Sequence, residues 1–390
     1  MISLGIEQLI LSPPQWLSEK RLGLLCNQAS TDSRLIHSRN LLIKSFPDRL
    51  TCLLSPQHGF FSEKQDNMVE SVHTRDSVTG LPLYSLYSRE RRPSQKMFDL
   101  VDVLIIDLFD VGTRVYTFLY TMAYCLEAAA EFGKKVLVLD RPNPVGGERL
   151  EGNIIEQGCF SFVGFYPLPM RHGLTFGELA LLLNNHFGIG ADLEIIPLQG
   201  WQRHMLYHDT GLPWVFPSPN MPSPAAALVY PGQVIWEGTN ISEGRGTCLP
   251  FELFGAPFFE HDQVLRQAEQ NADLTGCFLR PLIFEPLSSK WAGHACKGFQ
   301  IHVTDPAVFR PYRTSLALLQ AVMLLFPEAF AYKKPPYEYE YERLPMDLIL
   351  GNRQVRLALE QGQNIMNLEK SWQADLDAFE KLRQDVILYN

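Results

Sequence analysis

The sequence predicts an α/β protein whose first part carries a mostly parallel sheet, residues 1–254, followed by a smaller α+β region, residues 255–390. Two observations carry this. Short leucine-rich or β-branched runs alternate with segments of helical period, which is how a sheet with covering helices is written. After about residue 255 the alternation gives way to mixed strands and charged amphipathic helices.

Four runs, Leu22–Asn27, Leu50–Ser55, Val101–Phe109 and Lys135–Asp140, are apolar almost throughout, as expected of strands covered on both faces. Between the last two, TFLYTMAYCLEAAAEFG repeats its apolar residues at helical spacing and stops at Gly133. A helix is expected over Thr175–Phe187, then a strand over Asp192–Ile196. Thr175 followed by Glu178 has capping-box spacing, which gives that glutamate a structural task. The proline-rich stretch from Pro213 to Pro231 is too apolar for a linker and reads as a packed wall. Beyond it come a helix near Asp262–Asn271, strands near Phe278–Phe284 and Gly298–Thr304, a helix over Tyr312–Leu325 and two terminal amphipathic helices.

Composition excludes several classes of function. The 390 residues carry 34 basic and 43 acidic side chains, a formal charge of −9, which argues against nucleic acid or an anionic membrane as partner. No apolar run reaches the length of a membrane span. The N-terminal segment has neither a basic leader nor a small-residue cleavage site. Seven scattered cysteines form no CxxC pair or disulfide framework, so a reduced, cytoplasmic protein is expected. GxGxxG after the first strand, GxxxxGK[ST], HExxH and GxSxG are all missing. A metal assembled from His58, Asp107 and Asp140 would lack ligand spacing, so neither metal nor cofactor is expected.

Each predicted strand runs into polar residues at its carboxyl end, where open α/β sheets bind ligands. These are Asn27; Gln57 and His58; Asp107, Asp110 and Arg114; and Asp140, Arg141 and Asn143. On one rim they would form a polar bowl suited to a polyhydroxylated ligand. Asn27 and Asn143 equally suit Asx-turns, His58 a satisfied loop, and Asp110 with Arg114 a surface pair. Asp107 is harder to set aside, because a carboxylate closing an apolar strand is costly to bury unpaired. A second constellation, Glu237, Asn240, Glu243 and Arg245 among Gly238, Gly244 and Gly246, suggests a backbone bent around a polar ligand. Carboxylates facing a polar substrate point to glycoside hydrolysis, in which one carboxyl protonates the leaving oxygen and another acts as base or nucleophile.

The segments LGLLCNQAS, SPQHGFFSEKQDN, DLFDVGTRVYTFLYTM, VLDRPNPVGG, PMRHGLTFGELA, FPSPNMPSPAAALVYPGQ and EGTNISEGRGTCLPFELFGAPF resemble, in order, the bacterial exo-β-N-acetylmuramidases of glycoside hydrolase family 171. The resemblance continues more weakly through HACKGFQIHVTD and PMDLILGN, so it covers nearly the whole chain. It implies a Rossmann-like N-terminal domain, a smaller C-terminal domain and a cleft that removes N-acetylmuramic acid from non-reducing ends of peptidoglycan fragments. On that basis Glu237 and Glu243 are the candidate acid and base or nucleophile, with His58 and Asp107 as proton-transfer or orienting partners. Arg114, Arg141, Arg171 and Arg245 would meet the lactyl carboxylate or sugar hydroxyls. Asn27, Gln57, Asp140, Asn143, His172, Asn220 and Asn240 would meet hydroxyls and the N-acetyl group, and Tyr116 belongs to the aromatic surface on which a pyranose stacks. The expected partner is an amino sugar or muropeptide, met inside the cell.

One departure stands out. Many members of the family read PEHG where this chain has Pro56, Gln57, His58 and Gly59. An amide cannot exchange a catalytic proton, so the chain uses another group, acts on another amino sugar or sugar phosphate, or is a catalytically silent sugar binder.

Overall fold

The computed structural model describes residues 2–88 and 90–390. Its main sheet has seven strands: β1 (Leu22–Cys26), β2 (Leu50–Ser55), β3 (Thr74–Arg75), β4 (Pro82–Ser85), β5 (Val103–Asp107), β6 (Lys135–Leu139) and β7 (Asp192–Ile196). Their spatial order is β3-β4-β2-β1-β5-β6-β7, with every pair parallel except β3 with β4. The sheet alternates as its sequence requires. Val103, Ile105, Leu137 and Leu139 pack into one apolar cluster, whereas Leu104, Ile106, Val136 and Val138 pack into the other. Both faces are therefore covered, which explains the continuous apolar spelling.

The helix Phe118–Phe132 ends on Gly133 at φ 63°, a left-handed cap that costs glycine little. The helix Phe176–Asn185 starts from Thr175 with the expected capping box, and Arg203 pairs with Glu178 at 2.8 Å.

Sequence periodicity passes over several elements. β3 and β4 are too short to show a period, and helices Gly5–Leu11 and Ser38–Ser45 are equally brief. The proline-rich wall contains a helix, Pro224–Gln233: Ser223 caps it, Pro224 sits in its first turn, and Pro231 lies inside it. The C-terminal region carries a three-stranded antiparallel sheet, β8 (Leu253–Ala256), β9 (Cys277–Phe284) and β10 (Cys296–Val303), in the order β8-β10-β9. Four short helices, not two, follow the helix Pro311–Leu325. Phe254, Leu279 and Phe299 of the small sheet join the same apolar cluster as the main sheet's inner face. No described helix is long and apolar enough to cross a membrane.

Gly232 is where the helix Pro224–Gln233 crosses Pro311–Leu325. A Cβ there would lie 1.9 Å from the Pro311 carbonyl oxygen. Next to it, the Gln233 amide donates to Ser315 Oγ at 2.7 Å and accepts from Trp236 Nε1 at 3.0 Å, which fixes the turn that presents Glu237. Gly232→Ala is expected to destabilise the protein by about 3 kcal/mol, since backbone rather than a side-chain tip must yield. A chemical-denaturation midpoint equal to that of the parent would contradict this packing.

Candidate active site

The strand order reverses between β1 and β5, where a crevice is expected beyond the strand ends. That position is filled. Asp107 is fully buried; its carboxylate takes Arg141 Nε at 2.5 Å and Nη2 at 3.0 Å, together with the Ser38 hydroxyl. Ser30 Oγ donates to the Asp107 carbonyl at 2.5 Å. The polar rim expected from four strands is thus mostly a locked hydrogen-bond layer.

Most of the other residues placed on that rim serve the backbone. Arg114, wholly buried, donates to the carbonyls of Asn153, Leu168, Ile349 and Leu350 at 2.8–3.0 Å, so it ties the first part of the chain to the last. Burial lowers the pKa of its guanidinium. Asp140 accepts from Tyr389 at 2.6 Å, Thr175 at 2.8 Å and Gly177 N at 2.6 Å. Burial nevertheless pushes its carboxyl up to about 7. Asn143 bridges Leu174 O and Val145 N, and Asn27 bridges Pro217 O and Ala29 N, both as Asx-type braces. Arg171 donates to the Val145 carbonyl, with burial lowering its pKa to about 10. His172 lies 3.3 Å from Asp110, and Asn240 bridges Ala329 and Ala331. None of these lines the hollow described next. A strand-end position says where the backbone emerges, not which way the side chain turns.

The hollow forms to one side, past the end of β2 and under the loop after β5. Gln57, His58, Tyr116 and Thr117 meet Asn220, Glu237 and Arg245 there, with Tyr337 and Glu338 arriving from the C-terminal part. Tyr230, Phe251 and Met221 supply an apolar wall. Six of the residues expected at a site, Gln57, His58, Tyr116, Asn220, Glu237 and Arg245, are therefore brought together. The hollow has about 30 Å³ of free volume, room for one or two waters. Asn220 and Arg245 also line an adjoining hollow of about 190 Å³, bordered by Gln65, Asp66, Thr247 and Ser288.

Glu237 is 5% exposed and held at both oxygens: Arg245 Nη2 at 2.6 Å and the Tyr337 hydroxyl at 2.7 Å. Burial alone would raise its pKa, but the guanidinium and the tyrosine outweigh it and hold the carboxyl below its usual value. Glu243 does not line the hollow. Its carboxylate lies 3.2 Å from Arg245 Nε and 2.7 Å from Lys290 Nζ, and Lys290 also donates to the Trp236 and Ile241 carbonyls. The expected catalytic pair in this loop resolves into one carboxylate at the hollow and one behind it that steadies Arg245. Arg245 Nη1 is buried without a hydrogen-bond partner among the described residues.

His58 adopts φ 71° and its Nδ1 donates to the Lys64 carbonyl at 2.7 Å. Burial lowers its pKa to about 4, so the ring is neutral at pH 7 and Nε2 is left as an acceptor. The Tyr116 hydroxyl is buried with no partner among the described residues.

Glu338 is the residue that sequence reading missed. It is 3% exposed and lines the hollow; Oε1 accepts from Gln57 Nε2 at 3.0 Å and Oε2 from the Tyr87 hydroxyl at 2.7 Å. Burial, reinforced by Glu237, pushes its carboxyl up to about 7 against those two donors. The signal available in the sequence was the alternation YEYEYE over 337–342, set between a proline pair and an apolar helix. That pattern also spells an exposed strand, and only the turn reveals which glutamate faces inward.

Comparison with known proteins places the chain among related sequences and structures. Residues 22–225 match the family model described as exo-β-N-acetylmuramidase NamZ, N-terminal, and residues 228–389 match its C-terminal counterpart. The chain is 40% identical over 388 residues to the peptidoglycan β-N-acetylmuramidase NamZ of Bacillus subtilis strain 168, covering 100% of this chain and 91% of that protein. Among solved structures it is similar to two DUF1343 family proteins of Bacteroides fragilis. One is 34% identical with TM-score 0.89 and the other 28% identical with TM-score 0.75, each covering 100% of this chain and 99% of the other.

Proposed function

Since the chain belongs to the exo-β-N-acetylmuramidase NamZ family, we propose that it is a glycoside hydrolase releasing N-acetylmuramic acid from the non-reducing ends of peptidoglycan fragments. The observation that carries this reading is a pair of buried carboxyl groups, Glu237 and Glu338, lining one hollow with proton affinities displaced in opposite directions. Two carboxyls in different protonation states are what cleavage of a glycosidic bond requires. Glu237, kept ionised by Arg245, serves as base or nucleophile. The free Nη1 of Arg245 offers a charged donor to a substrate carboxylate, and Asn220, His58 and Tyr116 offer contacts to hydroxyls and the N-acetyl group.

The same reading puts the reaction inside the cell, on recycled fragments rather than intact wall, and what supports it is the cysteine chemistry. All seven cysteines are unpaired, which suits a reducing compartment.

Gln57 favours one competing reading, a sugar binder without turnover. Purified protein given a chromogenic β-N-acetylmuramide, a muramic-acid-terminated disaccharide and other amino sugars or sugar phosphates separates the two. Release of N-acetylmuramic acid from the first two substrates is expected. Binding without turnover, or turnover of the other sugars alone, would remove the N-acetylmuramidase reading.

A further inference from the structure

Resting on that hydrolase reading, we propose that Glu338 is the proton-donating catalytic residue of this chain, and that Gln57 is a positioning residue filling the place of a neutral glutamic acid. The hydrogen bonds of Gln57 carry the second half. Its Oε1 accepts from the Thr117 hydroxyl, and its Nε2 donates to Glu338 Oε1 and to the Tyr87 hydroxyl, each at 3.0 Å. A protonated glutamic acid offers a carbonyl oxygen to Thr117 and one O–H to Glu338, one donation fewer than the amide makes. An ionised glutamate does not, because two carboxylates would then face each other at hydrogen-bonding distance. The amide therefore preserves the network and removes the exchangeable proton, leaving Glu338 as the group in that network able to give one up.

The backbone points the same way. Tyr337 and Glu340 exchange both backbone hydrogen bonds at 2.9 Å, closing a two-residue turn in which Glu338 has φ 47° and Tyr339 φ 64°. Turns with both central residues in the left-handed region favour Asn-Gly. A glutamate and a tyrosine there are strained, because their Cβ atoms crowd the backbone. The turn places a carboxyl at its tip against Gln57 and Tyr87, and sets Tyr337 on Glu237.

The groups facing Glu338 set its titration. Gln57 and Tyr87 donate to it, Glu237 adds negative charge, Arg245 positive charge, and Tyr339 packs on Tyr87 while Arg91 lies over the Tyr339 ring. The carboxyl is thus part protonated near neutral pH, as a general acid needs to be. In the reaction its proton passes to the glycosidic oxygen as the bond from C1 breaks, the electron pair staying on that oxygen. Water supplies a hydroxyl to C1, and its remaining proton ends on a carboxylate of the site. No further reactant is needed.

The test compares the parent with Glu338→Gln and Gln57→Glu on two substrates: a muramic-acid-terminated disaccharide, whose leaving oxygen needs a proton, and a nitrophenyl muramide, whose leaving group does not. Glu338→Gln is expected to lower kcat about 10²–10⁴-fold on the disaccharide and far less on the nitrophenyl substrate. It should also abolish an alkaline limb near pH 7 in the parent profile. Gln57→Glu puts a second carboxyl beside Glu338 so that the two share a proton, and the limb should move to higher pH. If Glu338→Gln does not fold, Gln57→Glu reads the same limb in folded protein. Equal losses on both substrates, no loss, or a limb unmoved in either variant would overturn the assignment while leaving the hydrolase reading in place. A parent that turns over neither muramide would instead overturn the hydrolase reading, and the assignment with it.

Discussion

Replacing Glu237 by glutamine is expected to lower kcat by about three orders of magnitude with little change in KM, while the protein remains folded. The amide keeps the shape of both contacts: its oxygen can still accept from Arg245, 2.6 Å away in the parent, and its nitrogen can face Tyr337, 2.7 Å away. What it loses is the negative charge that Arg245 stabilises. Because the parent carboxyl lies below its usual pKa, it is ionised across the neutral range, and its favourable contribution to stability fades only as the pH falls through that lowered value. Glu243→Gln is the informative control. That carboxylate lies behind Arg245, against Lys290, so its removal should act on thermal stability more than on kcat. Steady-state kinetics with melting curves decide the matter; a Glu237→Gln enzyme within tenfold of the parent would remove Glu237 from the reaction.

Arg141→Met is expected to be the most destabilising single change at the sheet's switch point, costing about 3–5 kcal/mol, because it strands Asp107 as a buried, uncompensated carboxylate. Asp107 keeps only the Ser38 hydroxyl as a side-chain partner once the two guanidinium contacts, at 2.5 and 3.0 Å, are gone. Removing both charges in Asp107→Leu/Arg141→Met should recover part of that loss, since two neutral groups need no mutual compensation. Neither residue lines the hollow, so kcat per folded molecule should stay near the parent value. A large fall in kcat with an unchanged denaturation midpoint would return Asp107 to the reacting centre and contradict its reading as a structural ion pair.

The sequence fared differently with the fold and with the site. Strands buried on both faces are spelled in consecutive residues, so β1, β2, β5 and β6 could be located within one or two residues. The caps at Thr175 and Gly133 are equally local. The helix inside the proline-rich wall was not legible, because Pro231 contradicts helical propensity and is tolerated only through packing. Gln57, His58, Glu237 and Arg245, each in a short polar motif, come together at the hollow. Asp107, Arg114, Asp140 and Arg141 stood in motifs just as polar, yet they turn inward to hold backbone and one another.

Local sequence patterns were enough for the layered α/β architecture and for the family. These follow from patterns within a few residues of one another, where periodicity and capping act. Which carboxylates share a hollow was decided only in three dimensions. Glu237 and Glu338 are 101 residues apart in the chain, and they meet because an apolar core common to both parts brings a strained turn against the end of a parallel strand. Burial then raises one proton affinity while an arginine lowers the other. Solvent exclusion and through-space charge set those values, and neither is a property of any stretch of sequence.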